Sequence, residues 1–210
     1  MGETVCIFGF MEMKSSEREK IGVAILAGGR SSRMGMAKSE IVIPGDGRTL
    51  LDRICDEMSF FDCRYLSLRK DQTVRRHDYK RVDDMIEDIG PLGAICSLLS
   101  VSEAGALLVL ACDMPGYMKE HALRMAQHYK GEDILIPRTP GGFEPLAAVY
   151  GRSILPLIRR RIGENRYKLT SLLELTDKVT VIDEKDPEPF RNINSRSDLF
   201  SDNLNDLKKS

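Results

Sequence analysis

The residues best suited to chemistry lie between Ile21 and Ile43, in the run IGVAILAGGRSSRMGMAKSEIVI. A short apolar segment leads into a loop of Gly, Ser and Arg, then a single Lys, then a second apolar segment. Gly28 and Gly29 lack a Cβ, so the backbone there can turn sharply and bring its N–H groups close to an anion. Arg30, Arg33 and Lys38 add positive charge, and Ser31 and Ser32 add hydroxyl donors. This composition, leaving a buried strand, suits the binding of several phosphates. Two common phosphate motifs are absent. There is no G-x-x-x-x-G-K-[ST] at Gly29, and Gly28, Gly29 and Gly35 do not form G-x-G-x-x-G.

A second candidate is Asp113. The run Leu107-Leu108-Val109-Leu110-Ala111-Cys112-Asp113-Met114-Pro115 reads as a buried strand that ends in an acid. An Asp at a phosphate-binding edge can hold Mg²⁺, which takes hard oxygen ligands from one or two carboxylates, phosphates and water. Asp before Pro is also an ordinary turn, and the two readings weigh about equally on these residues alone. Further on, Arg81-Val82-Asp83-Asp84 precedes Ile89-Gly90-Pro91-Leu92-Gly93, and Asn192 and Asn194 stand in Phe190-Arg191-Asn192-Ile193-Asn194-Ser195.

Together these motifs resemble the nucleotidyltransferases that build a nucleoside diphosphate linkage from a nucleoside triphosphate, and most of all the molybdenum cofactor guanylyltransferases. The first motif matches L-A-G-G-x-S-x-R-M-G-x-x-K through Leu26, Ala27, Gly28, Gly29, Ser31 or Ser32, Arg33, Met34, Gly35 and Lys38. C-D-x-P matches at Asp113, G-P-L at Gly90, P-L-x-A-x-Y near Pro145 to Tyr150, and F-x-N-x-N-[ST] at Phe190. The resemblance spans most of Ile21 to Leu199. It implies nucleotide binding by Leu26, Ala27, Gly28, Gly29, Lys38, Asp84 and Asp113, with Asp83 a competing alignment for Asp84. It implies Mg²⁺ on Asp113, catalytic roles for Arg33, Lys38 and Asp113, and an acceptor held near Asn192 and Asn194. Many members carry Asp directly before the lysine, where this chain has Ala37.

The implied reaction is GMP transfer from GTP to the terminal phosphate of molybdopterin, with loss of pyrophosphate. The phosphate nucleophile is already an anion, so no general base is required, and His77, His121 and His128 lie outside every motif. CTP in place of GTP, another phosphorylated acceptor, or a nucleotide-binding module without turnover remain the alternatives. Contact with other molybdenum cofactor enzymes is a further expectation.

These residues must be positioned by alternating apolar runs and amphipathic segments. Strands are expected at Val23–Leu26, Arg64–Leu68, Ala106–Leu110, Ile134–Ile136, Leu146–Val149 and Val179–Ile182. Helices are expected around Leu50 to Met58, Pro91 to Leu99, Lys119 to Tyr129, Ile154 to Ile162 and Leu169 to Leu175. Ser195-Arg196-Ser197-Asp198 reads as a capping box opening a terminal helix. The alternation predicts an α/β fold of three layers around a mostly parallel sheet, and the resemblance adds a Rossmann-like, nucleotide-diphospho-sugar transferase type. Gly28 and Asp113 each follow a strand, so both fall on the carboxyl edge where ligands sit in such sheets. Arg159-Arg160-Arg161 reads as a solvated helical face, with phosphate contact the lesser reading.

Composition sets the outer limits. The 210 residues suit one domain over 21–210, with 1–20 read as an extension ahead of it. A net charge of −1 excludes a general polyanion or nucleic-acid binder, so anion affinity must be local. Five scattered cysteines without a C-x-x-C pair point to a reducing, cytoplasmic setting rather than a disulfide framework. No apolar run approaches the ~20 residues that cross a bilayer, so no membrane partner is expected.

Overall fold

A computed structural model describes residues 21–28, 38–86, 88–194 and 198, with the Lys38 side chain left out. The architecture grows from two adjacent strands. β1 (Ile21–Leu26) and β4 (Ala106–Ala111) pair in parallel, with Ile21 opposite Ala106 and Leu26 opposite Ala111. Both are apolar without alternation because helices cover both faces of the sheet. Every residue of β4 is buried. A fully buried aliphatic side chain contributes ~1.5–3 kcal/mol, so this central pair anchors the fold.

β2 (Arg64–Leu68) pairs with the other side of β1, and β3 (Lys80–Asp83) pairs with β2, both in parallel. β3 escaped the sequence reading because it is an edge strand and buries only Val82. Beyond β4 the direction changes. β7 (Ala147–Gly151) runs antiparallel to β4, and β5 (Ile134–Thr139) antiparallel to β7. β5 also carries the short β6 (Gly142–Phe143) as a hairpin and β8 (Val179–Asp183) in parallel. The sheet order is β3-β2-β1-β4-β7-β5-β6, with β8 on β5. It is therefore a mixed sheet in which β6 and β7 oppose the common direction.

Among the described residues four α-helices complete the layers: α1 (Leu50–Glu57), α2 (Pro91–Val101), α3 (Lys119–His128) and α4 (Leu155–Gly163). Alternate residues of each strand face opposite layers. Val23, Ile25, Leu108 and Leu110 pack with Ile54 and Cys55 of α1 and with Ala122 and Met125 of α3. Ala24, Leu107 and Val109 pack with Leu92, Ile95 and Leu98 of α2 and with Ile158 of α4. Leu169–Glu174 is a 3-10 helix rather than an α-helix. Residues 1–20 and the expected terminal helix lie outside the described residues. Of the expected capping box, Asp198 is described, and its carboxylate accepts the Asn194 N–H at 2.8 Å.

Candidate active site

The chain runs outward from β1 to β2 and β3, then returns to β4 on the other side of β1. That reversal makes a crevice at the carboxyl ends of β1 and β4, where α/β sheets bind ligands. Here it is a cavity of about 650 Å³. Leu26, Ala27 and Gly28 enter it from β1, Asp113 from β4, Asp84 from the end of β3, and Asn192 from the C-terminal segment. The sequence motifs thus converge on one place, from strands far apart in the chain.

Each group is held by a specific contact. The Cys112 N–H donates to the Leu26 carbonyl at 3.2 Å, fixing the start of the C-D-M-P turn against the start of the glycine loop. Arg53, buried on α1, ties that turn from below. Its Nε donates to the Pro115 carbonyl at 3.0 Å and its Nη1 to Asp46 Oδ2 at 2.9 Å. Asp46 also receives a fork from Arg48, at 2.7 and 2.9 Å, and these hydrogen bonds hold its carboxyl below the usual carboxylate range. Asn192 is brought in by its neighbour. The Ile193 N–H donates to the Asp113 carbonyl at 2.8 Å, and its side chain packs with Ile41, Ile43 and Leu50.

Asp83 and Asp84 stand in different places. Asp83 accepts Arg81 Nε at 2.7 Å on the exposed edge of β3. Asp84 lines the cavity, accepts the Ser67 hydroxyl at 2.7 Å, and stands close to Gly28, where an added Cβ would lie 3.6 Å from its Oδ2. Asn194 is not among the cavity-lining residues. Gly29 and Arg33 lie outside the described residues, as does the side chain of Lys38, whose backbone opens the 3-10 turn Lys38–Glu40.

The G-P-L-G segment has a steric logic of its own. Gly90 caps α2 at φ 70°, ψ −157°, a conformation open to glycine alone. Pro91 follows at the first turn, where its missing N–H costs nothing. A Cβ on Gly93 would meet Ile89 Cγ1 at 2.6 Å and the Ile86 carbonyl at 3.0 Å. Ile89 and the Ile86 carbonyl can therefore approach the helix closely, and Ile86 and Asp88 reach the cavity. Ser97 pins this loop: its hydroxyl donates to the Gly93 carbonyl and accepts the Met85 N–H, both at 2.9 Å.

Sequence reading missed Ser67, Arg69 and Lys70, which line the cavity just past β2. A signal existed. Any strand parallel to β1 delivers its last residues to the same edge, and β2 ends in Ser-Leu and runs on into Arg-Lys-Asp. The basic run on α4 does not reach the site. Arg160 pairs with Glu164 at 2.8 Å, and buried Arg161 donates to Glu164 and to the Ser171 carbonyl.

The arrangement offers backbone amides, a carboxylate at a strand end, and apolar walls from Ala27, Pro91, Ala94 and Leu146. Such a lining offers polar donors and a carboxylate at one end and apolar contact at the other. The model of the MobA-like NTP transferase domain matches residues 23–180. The chain belongs to this family. It is a nucleotidyltransferase, and its three-layer fold is the one expected of that type. A relative from Methanosarcina mazei, named probable molybdenum cofactor guanylyltransferase, is 32% identical over 208 residues, covering 90% of this chain and 92% of its own. One of the same name from Flavobacterium johnsoniae is 27% identical and covers 89% of this chain and 98% of its own. Among solved structures, molybdopterin-guanine dinucleotide biosynthesis protein A from Archaeoglobus fulgidus superposes with a TM-score of 0.74 at 26% identity, covering 89% of this chain and 97% of its own. Among the described residues no helix is long and apolar enough to cross a membrane.

Proposed function

We propose that this chain transfers GMP from GTP to the terminal phosphate of molybdopterin, forming the guanine dinucleotide cofactor and releasing pyrophosphate. The observation that carries this reading is the convergence of Gly28, Asp84 and Asp113 on one cavity at the β1/β4 crevice. The guanylyltransferase names of relatives matched along most of the chain support it.

The chemistry needs little beyond charge and alignment. The acceptor phosphate is an anion at neutral pH and attacks the α-phosphorus, while pyrophosphate departs. None of the three histidines lines the cavity, which suits a reaction without a general base. The obstacle is repulsion between two polyanions, so preorganised positive charge and fixed geometry supply most of the rate. Amides at Gly28 and Gly29 cradle the phosphates, Lys38 and Arg33 neutralise the departing pyrophosphate, and Asp84 receives the nucleoside. Asn192 flanks the acceptor from within the cavity, and Asn194 does so from outside its lining.

The donor set also fits a divalent cation. Among the described residues no cluster of three His, Cys, Asp or Glu side chains could cage a metal. Mg²⁺ asks for no such cage, since it keeps waters, takes one or two carboxylates and draws its other ligands from phosphate. Asp113 is the residue that would hold it. When bound, such an ion supplies a Lewis acid and a template for phosphate oxygens.

Pyrophosphate release with GTP or CTP, with and without molybdopterin, tests the reading. Release is expected only with GTP and molybdopterin together. Release with CTP and not GTP would replace the nucleotide, and GTP binding without release would make the chain a binding module.

A further inference from the structure

We infer that Gln72 is a positioning residue, a wedge that keeps β1 and β2 apart at the cavity mouth and so opens the space for the nucleoside. The inference rests on the nucleotidyl-transfer reading above. It starts from a missing rung. β1 and β2 pair in parallel up to Leu26 opposite Ser67, and the Ala27 N–H still donates to the Ser67 carbonyl at 3.0 Å. The next rung of a parallel ladder runs from the Arg69 N–H to the Ala27 carbonyl. The side-chain amide of Gln72 stands in its place. Gln72 Oε1 accepts the Arg69 N–H at 3.0 Å, and Nε2 donates to the Ala27 carbonyl at 3.1 Å. Two hydrogen bonds and an amide group span a gap that one bond would close.

The wedge is itself anchored. The Gln72 N–H donates to the Arg69 carbonyl at 3.1 Å, making a tight turn. Arg81 on β3 clamps that turn, donating to the Gln72 carbonyl at 2.6 Å and the Arg69 carbonyl at 3.0 Å. Both strand ends that Gln72 separates line the cavity, through Ala27 and Gly28 on one side and Ser67 and Arg69 on the other. Their clearance is already small, since a Cβ on Gly28 would sit 3.4 Å from the Arg69 nitrogen. With the phosphates toward β4 and Asp113, the gap between β1 and β2 lies on the nucleoside side. A closed rung would therefore narrow the nucleoside pocket and leave the phosphate cradle as it is.

The test separates nucleoside from phosphate binding in the full chain. Calorimetric titration with GTP and with inorganic tripolyphosphate is run on wild type, Gln72→Ala and Gln72→Asn, the latter too short to bridge both groups. Both variants are expected to lose about tenfold in GTP affinity and to keep tripolyphosphate affinity within about twofold. Their melting temperature should hold, because Arg69 can then donate directly to Ala27. Equal loss of both ligands, or unchanged GTP affinity, overturns the wedge. A lower melting temperature with an unaltered ratio of the two affinities marks Gln72 as merely structural and also overturns it. Wild type that binds GTP no better than tripolyphosphate overturns the nucleotidyl-transfer reading, and the wedge with it.

Discussion

At the scale of single residues, the proposed electrostatic groups make the sharpest demand. Lys38→Ala and Asp113→Ala should each cost ~2.7–4 kcal/mol in the barrier, a fall in kcat on the order of 100- to 1000-fold, with melting curves close to wild type. Initial rates of pyrophosphate release measure this, and a loss of only a few fold in both variants rejects the assignment. Tyr117 makes a different demand. It is buried beside His121 and Phe190, and its hydroxyl finds no partner among the described residues. Burial without a hydrogen bond pushes its pKa up and costs stability. Tyr117→Phe is expected to raise the unfolding free energy by about 1 kcal/mol in urea melts, and a drop of that size would reveal a hidden partner. The place of Asp113 at the cavity edge was legible in the sequence because it follows an unmistakable buried strand, while its metal role came only with the family resemblance. Gln72 and Ser97 were not, because their value lies in what they touch. Gln72 meets the Ala27 carbonyl across 45 positions, and Ser97 meets Met85 across 12.

At the scale of elements, α2 and the loop before it act as one piece. Gly93→Ala should stabilise an ordinary helix by about 1 kcal/mol. Here the new methyl must push Ile89 and the Ile86 carbonyl away, so a net loss of about 1–3 kcal/mol is expected. GTP affinity should fall with it, because the displaced loop carries Ile86 and Asp88 at the cavity wall. A more stable variant with wild-type binding contradicts this account. The strands β1 and β4 could be read from sequence because both faces are buried and apolarity is continuous. β3 could not, since Lys80-Arg81-Val82-Asp83 buries one side chain. Nor could the direction of β7, since an apolar run carries no mark of its neighbours' orientation.

At the scale of the whole molecule, charge ties α1 to the turn after Asp113 through Arg53 and Asp46. Its carboxyl titrates below its ordinary value because Arg48 and Arg53 bond the ionised form. Its contribution is therefore complete above the unfolded carboxylate pKa of about 4 and is lost as pH falls through the lower folded value. Asp46→Asn should melt below wild type at pH 7, and the difference should shrink toward pH 3. A constant difference across that range removes Asp46 from the acid sensitivity. Chain order adds a last consequence. Leu26 to Ala94 builds one wall of the cavity, and after Asp113 the opposite wall comes from Leu146 and Asn192. A single genetic crossover inside the fourth strand would thus exchange one wall whole and keep the other, giving evolution or an engineer a route to new ligand pairs on an inherited half of the site.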